Sequence, residues 1–177
     1  LIQNMLDLSK LESGEYQVNA RMFNIWETIT GVALSAEQRI NDGMIDIEGL
    51  TMDEKVLVYA DPDLIHQVVY NLLDNAIKFS HSDSVIRIET SEKKNKLLVS
   101  VKDSGIGIPK DDLKLIWERF YKSDSSRGKD KKGTGLGLSI TKAIFQQLSQ
   151  NYLKFRNTCK FMLDNLVDFD PEKLTKS

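Results

Sequence analysis

The chain has 177 residues, 41% apolar and 28% charged, enough for one folded domain with a full hydrophobic core. A net charge of -2 gives no general attraction to nucleic acid or to anionic membrane, and only Lys129, Lys131 and Lys132 cluster closely. The single cysteine, Cys159, excludes an internal disulfide and fits a reducing compartment. No apolar run approaches the ~20 residues that span a bilayer, and no signal peptide is legible. A start at Leu1 in place of methionine gives the expectation of a piece cut from a longer protein.

The opening LIQNMLDLSKLES places Leu1, Met5 and Leu8 on one helical face with Ile2 and Leu6 beside them, and Gly14 stops the pattern. So short a helix is unstable alone, so it reads as the stub of a longer helix packed on a partner helix. Residues 23–40 carry a second helical pattern, with Ile25, Ile29, Val32, Ala33 and Ala36 near one face. Residues 44–50 and 55–60 predict short strands. Asp61-Pro62-Asp63 is a strong helix start, with a capping carboxylate, a proline at the first position and a second acid in the first turn. That helix is predicted to run to about Phe79 over a stripe of Ile65, Val68, Val69, Leu72, Leu73 and Ala76. Residues 85–90 and 97–102 predict a hairpin, and Asp103-Ser-Gly-Ile-Gly-Ile-Pro follows as a glycine-rich loop. Pro109 is expected to open a helix with Leu113, Ile116, Trp117 and Phe120 at helical spacing. Residues 121–132 turn to Lys, Ser, Asp, Arg and Gly and are expected to be mobile. Gly133-Thr-Gly-Leu-Gly-Leu then leads into a helix carrying Leu138, Ile140, Ala143, Ile144 and Leu148. Helices together with an antiparallel hairpin point to an α+β layered fold.

Asn71, Asn75 and Lys78 stand at i, i+4 and i+7, on one helix face. Two amides and an ammonium suit a metal–phosphate complex, and they equally suit a solvated polar face. Asp103, at a strand end before Gly105 and Gly107, suits an acceptor for an exocyclic amino group such as adenine's, whereas guanine would offer an acceptor oxygen there. An Asp-Ser-Gly turn explains the same residues without a ligand. Gly133 to Leu138 opens a helix, whose unpaired N–H groups and dipole favour phosphate. It lacks the Gly-Lys-Ser/Thr ending of a P-loop, and no strand precedes it as in a dinucleotide fingerprint. The basic stretch before it could close over a triphosphate as a lid. Each signal alone is weak.

Taken in order, NLLDNAIKFS, DSGIGIP, ERFYKSDSSR and GTGLGLSI resemble the N box, first glycine box, F box and second glycine box of sensor histidine kinases. Their wider superfamily includes type II topoisomerases, mismatch-repair MutL proteins and heat-shock chaperone ATPases. LIQNMLDLSKLESG resembles the end of the dimerising, histidine-bearing hairpin that precedes their catalytic domain, and the resemblance covers residues 1–148. It implies an α+β, two-layer sandwich of the Bergerat type, a mixed and mostly antiparallel sheet packed on about three helices. Residues 1–14 would end the dimerising helix, 15–170 would form the ATP-binding domain with a mobile lid at 121–132, and 171–177 would be a frayed end.

The resemblance also implies ATP and Mg²⁺ as ligands. Asn75 becomes the Mg²⁺ ligand, Lys78 a phosphate contact and Asp103 the adenine acceptor, with Gly105 and Gly107 lining the base. Phe120 is expected to pack under the lid and Lys122 to reach toward phosphate. Gly133, Gly135 and Gly137 would shape the lid hinge and cradle phosphates, and Phe79, Ile108, Thr134, Leu136 and Leu138 complete the nucleotide-contacting set. Asn71, grouped with Lys78 as catalytic, matches the position where topoisomerase and MutL relatives place a water-activating glutamate. An amide cannot act as a general base, which favours phosphoryl transfer over hydrolysis. The acceptor histidine would lie upstream. His66 stands about 140° around its helix from Asn71, and His81 lies in a turn.

Partners implied are the chain's own phosphoacceptor hairpin and a response regulator. The parent would be a homodimer anchored in a bacterial cell membrane, with this part cytoplasmic and touching neither lipid nor nucleic acid. Competing readings are a regulatory nucleotide-binding module, a conformational ATPase and an anti-sigma serine kinase. The chain departs from the family after Ile144, with no glycine after Gly137. Leu153, Phe155, Cys159, Phe161 and Leu163 still alternate, which fits a strand pair with a turn near Asn157 or, alternatively, a helical tail.

Overall fold

Asp61 is fully buried and holds together two distant parts of the chain. Its Oδ1 accepts the N–H groups of Asp63 at 3.0 Å and Leu64 at 3.2 Å, which caps a helix opened by Pro62. Its Oδ2 accepts the Asn19 N–H at 2.7 Å and the Tyr16 hydroxyl at 3.5 Å. A carboxylate fed by this many donors tolerates burial, because the hydrogen bonds replace its lost hydration. The computed structural model describes residues 2–51, 54–93, 96–123, 133–152 and 159–163.

The elements in chain order are α1 (Ile2–Ser13), β1 (Arg21–Asn24), α2 (Ile25–Ser35), α3 (Glu37–Asp42), β2 (Ile45–Glu48), β3 (Leu57–Ala60) and α4 (Pro62–Phe79). They continue with β4 (Ser84–Lys93), β5 (Lys96–Lys102), α5 (Gly137–Tyr152) and β6 (Cys159–Leu163). A four-stranded mixed sheet runs β2-β4-β5-β6, with β4 and β5 antiparallel and the flanking pairings parallel. β1 and β3 form a separate antiparallel pair. α4 lies between α2 and α5 and also packs on β5. The core is continuous from Ile25 and Ile29 of α2, through Ile65, Val68, Leu72 and Leu73 of α4, to Ile140 and Ile144 of α5. On the sheet, Ile86, Ile88, Val99 and Val101 alternate inward as a half-buried hairpin requires.

The stub at the start is docked on this body. Leu8 and Leu11 are buried in the common core as α1 packs along α5, while Met5 and Leu6 are exposed. An ion pair between Glu12 and Arg119 ties α1 to the segment before residue 121.

Two expectations are corrected. The helical pattern from residue 23 begins instead as β1, and Asn24 ends the strand by turning its side chain onto the Trp26 N–H at 3.3 Å and the Val56 N–H at 3.1 Å. The remainder divides into α2 and α3 at Ala36. Residues 109–121 form successive turns, not a helix. Asp112, Leu115 and Glu118 each donate to the carbonyl three residues back, at 2.8 to 2.9 Å. Of the apolar set expected there only Ile116 is buried, so no continuous stripe rewards helix formation. Beyond α5, Cys159–Leu163 forms β6, parallel to β5. Expectations for 153–158, for the lid at 124–132 and for the frayed end lie outside the described residues.

Burial, and then the charges of Asp61 and Asp63, push the Tyr16 hydroxyl from 10.0 up to about 12. A raised pKa contributes stability that is full below pH 10 and is lost as pH rises through 12. The stability advantage of the wild-type chain over Tyr16→Phe in denaturant unfolding should therefore shrink across that window. An advantage that stays constant would contradict the assignment.

Candidate nucleotide-binding site

Two glycine loops close on α4, one at its end and one at its middle. At the end, the Phe79 carbonyl accepts the Ile106 N–H at 3.2 Å. A Cβ at Gly105 would lie 2.4 Å from that carbonyl oxygen, so only glycine lets loop 103–108 seat on the helix terminus. Asp103 Oδ1 accepts the Gly105 N–H at 2.9 Å, a side-chain turn that fixes the carboxylate at the mouth of the loop. Gly107 has a positive φ of 68° and nothing within 4 Å of an added Cβ. The two glycines expected to make room for a base thus differ: Gly105 makes room for helix α4, and Gly107 faces open space. Ile108 is half-buried beside it.

The second loop is anchored on residues 120 and 121. The Phe120 N–H donates to the Gly135 carbonyl at 3.0 Å, and a Cβ at Gly135 would fall 2.8 Å from the Phe120 carbonyl carbon. Phe120 adopts a left-handed φ of 62° and is 54% exposed. Its expected lid neighbours at 124–132 lie outside the described residues. Thr134 Oγ1 accepts the Leu136 N–H at 3.3 Å just before α5 begins. Leu136 is fully buried and Leu138 packs on the core, so these two side chains anchor the loop and leave its backbone to meet a ligand. Gly133 and Lys122 are half-buried and neither is without an interaction partner.

Along α4 the expected triplet separates. Asn71 is only 7% exposed, and both ends of its amide are taken by protein. Its Nδ2 donates to the Gly137 carbonyl at 3.0 Å and to Thr141 Oγ1 at 3.3 Å, and its Oδ1 accepts Gln67 Nε2 at 3.2 Å. The first turn of α5 covers it, which corrects the picture of Asn71 projecting beside Asn75 and Lys78. Asn75 is half-buried and makes no side-chain hydrogen bond among the described residues. Lys78 Nζ lies 2.7 Å from Asp74 Oδ2, and Arg39 holds the other Asp74 oxygen at 2.8 Å. The buried Ser80 hydroxyl, beside Phe79, has no hydrogen-bond partner among the described residues. His66 and His81 are exposed and make no contact with these loops in any bond given above. Gln67, Thr141 and Asp74 escape a motif-based reading, because their partners are set by packing between α4, α5 and Arg39.

Among the described residues no cluster of three His, Cys, Asp or Glu side chains could hold a metal by itself. An unbonded amide at Asn75, an ammonium, an open left-handed glycine and a helix start suit a ligand that brings its own oxygens, as a nucleotide phosphate does.

These features define a nucleotide-binding α+β domain. Residues 60–161 match the family of histidine kinase-, DNA gyrase B- and HSP90-like ATPases, and the chain belongs to that family. It is 36% identical over 148 residues to the sensor histidine kinase WalK of Bacillus subtilis, an overlap of 82% of this chain and 24% of WalK. It is 33% identical over 147 residues to hybrid signal transduction histidine kinase D of Dictyostelium discoideum, covering 80% of this chain and 10% of that protein. The catalytic domain of histidine kinase ThkA shares the fold at a TM-score of 0.60 and 31% identity, over 72% of this chain and 80% of that one. The chain therefore spans a quarter or less of the length of these two full-length relatives. It is an ATP-binding domain of the histidine kinase kind. No helix among the described residues is long and apolar enough to cross a membrane.

The contrast between the two glycines of the first loop is measurable. Gly105→Ala should cost about 3 kcal/mol in denaturant unfolding, because backbone must move. Gly107→Ala should cost about 1 kcal/mol, the strain of a left-handed alanine alone. Equal losses would contradict the packing role of Gly105.

Proposed function

We propose that this chain is the catalytic portion of a sensor histidine kinase, which transfers the γ-phosphoryl group of ATP to a histidine on a dimerising helical hairpin. The observation that carries the reading is the convergence of loop 103–108 and loop 133–137 on the second half of α4, with Phe120 bonded to the second loop. α1 would be the end of the hairpin's second helix, resting on α5 through Leu8 and Leu11.

Asp103 would accept the amino group of adenine, its orientation held by the Gly105 N–H. Asn75 would supply an amide oxygen to Mg²⁺, whose other ligands would be phosphate oxygens and water, and the ion would neutralise phosphate charge. Lys78, poised on Asp74, would turn to the phosphates. Gly133, Thr134, Gly135 and Gly137 present the backbone of the α5 start, where N–H groups and the helix dipole favour anions. Phe120 and Lys122 would engage the lid once nucleotide is bound. A histidine nitrogen attacks the γ-phosphorus, the bond to the β,γ-bridging oxygen breaks, ADP leaves, and the imidazole N–H proton is released. The protein's share of the work is positioning and charge neutralisation. Hydrolysis is disfavoured, since residue 71 is an amide already committed to α5 and an amide cannot act as a general base.

The parent would be a homodimer anchored in a cell membrane, with this portion in a bacterial cytoplasm, and would pass the phosphoryl group to a response regulator. The test is calorimetric titration with ATP and GTP, with and without Mg²⁺, for the wild-type chain and Asp103→Asn. Asparagine can still accept the Gly105 N–H, so the turn survives while the charged acceptor is lost. Adenine-selective binding that falls at least roughly tenfold in the variant is expected. Acid-labile phosphate on a separately supplied acceptor hairpin should follow. Equal affinity for ATP and GTP would contradict the role of Asp103, and binding without transfer would leave a regulatory module.

A further inference from the structure

We infer that Thr141 and Gln67 are positioning residues for the phosphate end of the site, acting through Asn71. The inference rests on the ATP-binding reading above and goes beyond its residues. The Gly137 carbonyl can only accept, so the amide nitrogen of Asn71 must face it and the amide oxygen must face Gln67 Nε2. Thr141 Oγ1 donates its one hydrogen to the same carbonyl at 3.0 Å, so toward Asn71 it must accept. Three bonds thus close a ring between the middle of α4 and the first turn of α5. Both N–H donors of the Asn71 amide and one acceptor site of its oxygen are assigned by neighbours.

The ring is most enclosed at Thr141, which is 1% exposed and whose bond with Asn71 is buried, so that bond acts in a low dielectric. It is also close-fitting: a Cβ at Gly137 would lie 3.6 Å from Cγ and Oδ1 of Asn71, so α5 begins in direct contact with the amide. That first turn presents the backbone N–H groups expected to receive phosphate. The Thr141 hydroxyl and the Gln67 amide therefore hold the helix start, and with it the phosphate cradle, at a fixed height over α4. A tie that served stability alone would weaken every ligand alike. A tie that positions the cradle weakens phosphate-bearing ligands and spares the nucleoside.

The experiment titrates the full chain with Mg²⁺–ATP, Mg²⁺–ADP and adenosine by NMR, which reaches millimolar affinities. Thr141→Val keeps the shape and removes the hydroxyl. It should weaken both nucleotides about tenfold, the scale of a buried donor left without its partner. Adenosine affinity should change by less than about twofold, because the base is held elsewhere. Thr141→Ser should restore nucleotide binding. Gln67→Met frees the opposite end of the amide and should act in the same direction, so the inference stays testable if the valine variant fails to fold. Unchanged nucleotide affinity in a folded variant, an equal loss for adenosine, or failure of serine to rescue would overturn it. Failure of the wild-type chain to bind ATP would overturn the site reading itself, and this inference with it.

Discussion

The carbonyl oxygen of Phe79 is the point against which loop 103–108, the proposed base side of the site, is seated. A helix C-terminus leaves its last carbonyls without helical partners, and here one of them receives the N–H of Ile106. The loop can come that close only because residue 105 has no side chain. One backbone hydrogen bond and one missing Cβ thus set where Asp103 stands relative to the end of α4. The proposed phosphate side depends on the same helix two turns earlier, where Asn71 receives the start of α5. α4 in turn is fixed at its N-terminus by Asp61, whose carboxylate also gathers the segment that leaves α1. A displacement at either end of α4 would alter the distance between the two glycine loops.

This arrangement divides labour among side chains that look equivalent as letters. Asn71 and Asn75 are one turn apart, yet α5 covers the first and leaves the second without a side-chain bond among the described residues. The buried amide serves architecture, and the half-buried one suits a metal–phosphate ligand. Lys78 pairs with Asp74, which Arg39 also holds, so Asp74 keeps a cationic partner if Lys78 turns to phosphate as proposed.

Much of the fold is legible in the sequence where short-range rules apply. Asp61-Pro62-Asp63 carries its capping chemistry within one turn, and α4 begins as the letters require. The hairpin of β4 and β5 follows from alternation, and the glycine loops from their strings. β1 is hidden because Phe23 and Ile25 also fit a helical stripe, and only the pairing with β3, more than thirty residues on, makes residues 21–24 a strand. Residues 109–121 have helical spacing without a surface to bury it, which spacing alone cannot reveal. At the site, the motif residues are visible by resemblance, while Gln67, Asp74 and Thr141 are not. Thr141 meets Asn71 across 70 positions, and such a contact is decided by how two helices pack.

The most direct test of the account is an amide NMR titration of the full chain with Mg²⁺–ATP. Saturable shifts confined to the end of α4, to residues 103–108 and to residues 133–138 are the predicted result. Saturable shifts centred instead on the β1–β3 pair, or no shifts at millimolar nucleotide, would contradict the claim that the two glycine loops on α4 form the ATP site.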